Sequence, residues 1–97
     1  MNETQSCITR SADNIAGLIE KQFPETKTDR TETDGKITVI CRTGYPEIIS
    51  FLENNGCYAE AGSSNDAAIY FDDQHNAWIT IDRMHREYGT ATRLRIS

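Results

Sequence analysis

The sequence lacks basic residues over a long stretch. No lysine or arginine occurs from Thr43 to Asp82, forty residues that hold seven carboxylates. The fifteen residues that follow reverse the balance, with four arginines against Glu87 alone. The whole chain of 97 residues has a formal charge of −5 and a pI near 4.9. Such segregation creates a surface field that attracts or repels charged partners, but it disfavours direct binding to a nucleic-acid backbone, which normally requires a basic patch.

Long apolar runs are missing as well. The longest, Ile37–Cys41, is too short to span a membrane, so we expect no membrane association. The residues that follow Met1 have neither the basic start nor the apolar stretch of a secretory signal, and we therefore expect a cytoplasmic protein. The length fits a single domain over residues 1–97.

Motifs for metal, disulfide and phosphate chemistry are absent from the sequence. Its three cysteines, Cys7, Cys41 and Cys57, form no CxxC pair, which argues against a disulfide scaffold and a zinc knuckle. The scattered glycines form neither GxGxxG nor GxxxxGK[ST], so no phosphate-binding loop is expected. We therefore predict no metal, no cofactor and no enzymatic activity.

Two helices are indicated by apolar periodicity and by their end signals. Ser11 has the character of an N-cap, and an apolar stripe that includes Ile15 and Ile19 predicts a helix over Ala12–Phe23. A second helix begins near Tyr45-Pro46, because proline is well tolerated in a first turn. Asn55-Gly56 supplies a left-handed ending for it.

The remaining chain predicts strands. Asp34-Gly35 is a two-residue hairpin signal, so Thr26–Thr33 either pairs with Lys36–Arg42 or forms a loop. Period-two alternation predicts strands over Ala67–Asp72, Asn76–Asp82 and Ala91–Ile96, with a turn or a short helical piece over Met84–Thr90. The fold class is therefore α+β: an antiparallel sheet of four to six strands with two short helices packed on one face.

The hairpin around Asp73-Gln74-His75 decides which side chains face solvent. A three-residue loop would pair Asp72 with Asn76 and Tyr70 with Trp78. An exposed face of carboxylates and aromatic anchors would then contain Tyr58, Tyr70, Trp78, Glu60, Asp72 and Asp82. Ala67, Ile69 and Phe71 would lie on the opposite face of the sheet. Alternatively the acids only keep this face soluble, and Arg93 and Arg95 neutralise several of them.

The same hairpin supports a catalytic alternative. Asp72, Asp73 and His75 are residue types that ligate metals or act as an acid–base pair, although their spacing matches no known metal motif. Cys57 with His75 and Asp73 would make a nucleophile arrangement, for which no local signature exists.

Size, charge and helix-plus-sheet composition together suggest an inhibitor of the kind made by phages and mobile elements. The features are the acidic block Thr43–Asp82, the hairpin Ala67–Asp82 and the two short helices. In these respects the chain resembles anti-CRISPR proteins of the DNA-mimic class, in particular type I-F inhibitors. The resemblance implies a monomer in the host cytoplasm that occupies the basic groove of an RNA-guided surveillance complex and prevents binding of target DNA.

Under this hypothesis two sets of residues would contact the protein subunits of the complex. The phosphate substitutes would be Glu60, Asp66, Asp72 and Asp73, with Tyr70 and Trp78 as anchors. A second set on the first hairpin is Asp29, Glu32 and Asp34, with which Lys27, Arg30 and Lys36 interleave.

Two other binding hypotheses remain open at this point. An immunity protein or antitoxin would use the same acids to block a basic nuclease site. An accessory domain that binds an ordinary protein would instead depend on Trp78 more than on any acid.

Overall fold

The first helix and the first hairpin form the amino-terminal half of the fold. A computed structural model describes residues 3–24, 26–59, 67–86 and 89–97. Helix α1 spans Glu3–Gln22 and is followed by strands β1 (Thr28–Thr33) and β2 (Lys36–Cys41). Asp34 and Gly35 between these strands have φ angles of 53° and 76°, the left-handed geometry of a two-residue hairpin turn. The hairpin alternative is therefore confirmed.

Helix α1 begins nine residues before the predicted start. Ile8 lies four positions before Ala12 and extends the buried stripe by a further turn. Ser11 is consequently not an N-cap: it lies inside the helix, fully buried. The prediction failed because a serine before an apolar stripe gives the same local sequence pattern whether it caps the helix or lies within it.

The second helix, α2, spans Tyr45–Asn54 as expected from its end signals. Gly44 is the N-cap, and Gly56 adopts φ +84° just beyond the helix, where a side chain would be strained. The remaining elements are strands β3 (Cys57–Ala59), β4 (Ala67–Asp72), β5 (Ala77–Arg86) and β6 (Gly89–Ile96). Strands β5 and β6 reach into Met84–Thr90, so the prediction of a turn or helical piece there is wrong for the described residues.

All six strands form one antiparallel sheet in the order β1-β2-β6-β5-β4-β3. Both helices pack on one face of it, and their apolar residues join those of the strands in a single core. Fully buried members from the two layers include Ile19, Leu52, Val39, Ile81 and Leu94. The α+β prediction, with two helices on one face of an antiparallel sheet, is confirmed.

The register of β4 with β5 differs from the expectation by one residue. Asp72 pairs with Ala77 and Tyr70 pairs with Ile79, so the loop has four residues rather than three. Asn76 belongs to this loop and has a φ of 53°, a left-handed conformation that asparagine tolerates better than most residues. Because side chains alternate along a strand, this single-residue shift moves every side chain of β4 to the opposite face of the sheet.

Candidate functional site

A buried polar cluster surrounds Asp72, which is only 4% exposed. The hydroxyl of Ser11 donates a hydrogen bond of 2.7 Å to Asp72 Oδ2. On the other side, His75 Nδ1 lies 2.8 Å from the same oxygen, and the His75 backbone N–H donates to Oδ1 at 3.3 Å. The carboxylate is thus held between helix α1 and the β4–β5 loop.

The order of the groups in this cluster decides what it can do chemically. In a Ser-His-Asp triad the histidine lies between the nucleophile and the acid, so that it can remove the proton from the serine. Here the carboxylate of Asp72 lies between Ser11 and His75. The contact therefore orients the hydroxyl of Ser11 without providing the base that a nucleophile needs.

The nucleophile arrangement of Cys57, His75 and Asp73 also differs from what catalysis requires. Burial, followed by the nearby charge of Asp72, raises the pKa of the Cys57 thiol to about 11, so it stays protonated at neutral pH. The ring of His75 contacts Asp72, and Asp73 is exposed. Within the described ranges no group of three His, Cys, Asp or Glu residues is placed to hold a metal ion.

The predicted exposure of Tyr70 and Asp72 is wrong. Tyr70 is 3% exposed, and its hydroxyl donates a hydrogen bond of 2.8 Å to Glu53 Oε1 on α2. Burial and this hydrogen bond raise the pKa of Tyr70 to about 12. The one-residue register shift of β4 is the cause, because it turns both side chains towards the helices.

The opposite side of the sheet forms what we call the open face, which neither described helix covers. It comprises the outward side chains of four strands: Ala67, Ile69, Phe71, Trp78, Thr80, Asp82, Met84, Arg93, Arg95, Lys36, Thr38 and Ile40. Trp78 is 46% exposed and Ile69 is 37% exposed. The rings of Phe71 and Trp78 meet edge to face at 4.9 Å. Trp78 was expected on this face, whereas Ile69 and Phe71 were assigned to the wrong one.

Asp82, Arg93 and Arg95 share the open face with these apolar side chains. Arg93 donates from Nε to Asp82 Oδ1 at 3.0 Å and from Nη2 to Oδ2, a two-point contact that raises the pKa of Arg93. Arg95 Nη2 lies 3.7 Å from Asp82 Oδ2, and the side chain of Arg95 is 47% exposed. The alternative expectation was that these two arginines neutralise several acids; among the described acids, their contacts are with Asp82.

Two exposed acids lie at one end of the sheet, which we call the turn end. Ile37 pairs with Ile96, which in turn pairs with Ile79, so the loops before β2 and β5 lie at the same end. The first loop contains Asp34 and the second contains Asp73; both acids are exposed. Three strand spacings separate the two loops, a distance of about 14 Å.

The other predicted contact residues have different settings. Asp29 and Glu32 are exposed on β1. Arg30 between them forms an ion pair with Asp13 of α1, so the charge of this basic residue is balanced by a carboxylate of the same chain. Glu60 and Asp66 lie outside the described residues.

A shallow groove lies between the end of α1 and α2. Its volume is about 340 Å³, and Phe23 and Phe51 form its apolar part, with ring centroids 6.2 Å apart. Its polar lining consists of amides, one hydroxyl and Glu47. Such a lining provides little of the convergent charge that fixes a cofactor.

Comparisons of the chain with protein-family models, with curated proteins and with solved structures found no match. Among the helices in the described part of the chain, none has both the length and the apolarity needed to cross a membrane.

Proposed function

We propose that the chain is a non-catalytic inhibitor that uses exposed carboxylates to occupy the basic, DNA-receiving groove of a type I-F CRISPR surveillance complex. It would act as a monomer in the cytoplasm of a host cell. The observation that carries the proposal is the shared position of Asp34 and Asp73 at the turn end, where both are exposed. Lysine and arginine side chains that normally receive phosphates would attract these carboxylates.

The contact set is revised by the structure. Asp34 and Asp73 lead it, and Glu32, two residues before Asp34 on the edge strand, extends it, whereas Asp29 lies towards the far end of β1. The ion pair of Arg30 with Asp13 reduces the repulsion that Arg30 would exert on a basic groove. Asp72 and Tyr70 leave the set because both are buried.

A competition assay tests the proposal. The purified chain is added to a type I-F surveillance complex with labelled target duplex at low and moderate salt. We expect stoichiometric displacement of the duplex, weakened by salt and by the single change Asp73→Lys, which alters the net charge by the same amount as the control. Glu20→Lys is the matched control, because Glu20 contacts Thr28 at the opposite end of β1.

Each alternative outcome has a distinct meaning. Binding without displacement of DNA would retain an inhibitor and discard the mimic. Equal loss in the turn-end variant and in Glu20→Lys would show that only net charge matters. Absence of binding at both salt concentrations would overturn the assignment to this complex.

A further inference from the structure

The open face is divided into an apolar part and a cationic part that adjoin each other. Trp78, Phe71 and Ile69 lie on β4 and β5, whereas Arg93 and Arg95 lie on β6. Arg95 pairs with Thr80, two positions along β5 from Trp78, so Arg95 and Trp78 are diagonal neighbours. Diagonal neighbours on a sheet are about 7–8 Å apart, so one bound segment can contact both side chains.

Among the described residues on β5 and β6, the charges of this face do not cancel. Asp82 already accepts two hydrogen bonds from Arg93, so its carboxylate is largely committed to that side chain. Arg95 approaches Asp82 only to 3.7 Å and keeps most of its five N–H donors available. Two guanidinium groups against one carboxylate leave a local positive charge in a chain whose net charge is −5. Asp29, the next acid on this side of the sheet, lies two strand spacings from β6, about 10 Å away.

We propose that the open face is a second binding surface, which takes a protein segment presenting an apolar side chain next to a carboxylate. The apolar side chain packs against Trp78 and Ile69, where exposed aromatic area is available for burial. The carboxylate binds Arg95, whose planar guanidinium accommodates two carboxylate oxygens at once. The site is distinct from the turn-end acids and does not depend on the proposed inhibition.

The same observations disfavour a second copy of this chain as the occupant. Two open faces packed together would bring their excess positive charges into one interface, and each chain also carries a net charge of −5. A nucleic-acid strand is disfavoured because Asp82 lies beside both arginines and would repel its phosphates. The aliphatic side chain of Ile69 also suits an apolar protein group better than a sugar-phosphate backbone.

A display selection with short random peptides tests this surface directly. The chain is immobilised through its amino terminus, and bound peptides are isolated and synthesised. We expect a consensus that combines aspartate or glutamate with leucine, isoleucine or an aromatic residue. Trp78 is the only tryptophan in the chain, so peptide binding should shift its fluorescence emission to shorter wavelength.

Variants locate the binding and separate the two parts of the face. Trp78→Ala and Arg95→Glu should each weaken a selected peptide by about tenfold or more, as expected for interface hot spots. Lys21→Glu carries the same charge change on the exposed side of α1 and should leave the affinity unchanged. Circular dichroism of each variant verifies that it is folded.

Four results would overturn the proposal. They are a basic consensus, no consensus at all, equal binding by the Arg95→Glu variant, and tighter binding of a single-stranded oligonucleotide to the same face. Self-association that shifts the fluorescence of Trp78 without any peptide would identify a second copy as the occupant instead.

Discussion

Ser11 and Asp72 form a buried hydrogen bond across 61 positions of sequence. Ser11 is fully buried on α1, and Asp72 ends strand β4. A buried hydroxyl and a buried carboxylate both lose water on folding, so each requires a partner inside the protein. Their contact therefore favours the one register in which β4 turns Asp72 towards the helix.

Loss of the Ser11 hydroxyl should destabilise the fold. Ser11→Ala leaves Asp72 with one donor fewer in a buried site, for which we expect a decrease of about 1–3 kcal/mol in the free energy of unfolding. Urea denaturation followed by circular dichroism measures it. Ser50→Ala, the same change at an exposed position of α2, should alter stability much less. Equal effects of the two substitutions would show that the Ser11–Asp72 bond contributes nothing specific.

Two glycine-to-alanine changes should have opposite signs. Gly56 follows α2 with φ +84°, where an alanine Cβ is strained, and Gly56→Ala should cost about 1–2 kcal/mol. Gly17 lies within α1, and a Cβ built there meets nothing within 4 Å. Gly17→Ala should stabilise by about 0.5–1 kcal/mol, because alanine favours helix. Thermal unfolding of both variants gives the comparison, and a gain in stability for Gly56→Ala would contradict the left-handed assignment.

Stability should decline in mild alkali because the folded protein holds the proton of Cys57. The pKa of this thiol is raised to about 11 in the folded chain from its ordinary value of 9.0. The folded state therefore binds more protons than the unfolded state between these values. The contribution is complete below about pH 9 and disappears as the pH rises towards about 11, a change of about 2–3 kcal/mol.

Denaturation curves recorded across this pH range test the expectation. The raised pKa of Tyr70 adds a further loss in the same direction at the upper end of the range. In Cys57→Ala the alkaline decline should be shallower than in the unaltered chain. An identical slope in both would exclude Cys57 as its source.

The positive charge near Trp78 should be detectable without any partner. Iodide, an anion, should quench the fluorescence of Trp78 more efficiently than caesium, a cation, because Arg95 lies diagonally next to the indole. Arg95→Glu should reverse this preference, and added salt should reduce it. Neutral acrylamide serves as a control for exposure. Equal quenching by both ions would contradict the local charge described for the open face.

Local signals were sufficient for several elements of the fold. The helix that begins near Pro46 was predicted correctly, and the turn at Asp34-Gly35 was one of two predicted alternatives, because backbone geometry at those sites depends on the residues themselves. The buried face of β5 and β6 was also unambiguous. The apolar residues Ile79, Ile81 and Leu94 alternate with polar residues, so only one face of each strand suits the core. These elements needed no knowledge of distant contacts.

The orientation of β4 could not be obtained in the same way. Its two alternating sets of side chains are similarly apolar, with Ile69 and Phe71 in one and Ala68 and Tyr70 in the other. The choice depends on Ser11 and Glu53, which lie on the helices and contact Asp72 and Tyr70. As a result, Trp78 was found as a surface residue from sequence, whereas its neighbours Phe71 and Ile69 were not.

The strand order has a consequence for biosynthesis. β6 is the last of the six strands in chain order, yet it lies in the middle of the sheet between β2 and β5. Until β6 has left the ribosome, the β1–β2 hairpin and the β3–β4–β5 meander have no strand to connect them. The nascent chain therefore carries two separate pieces of sheet with exposed inner edges, and the final strand closes both edges in one late step.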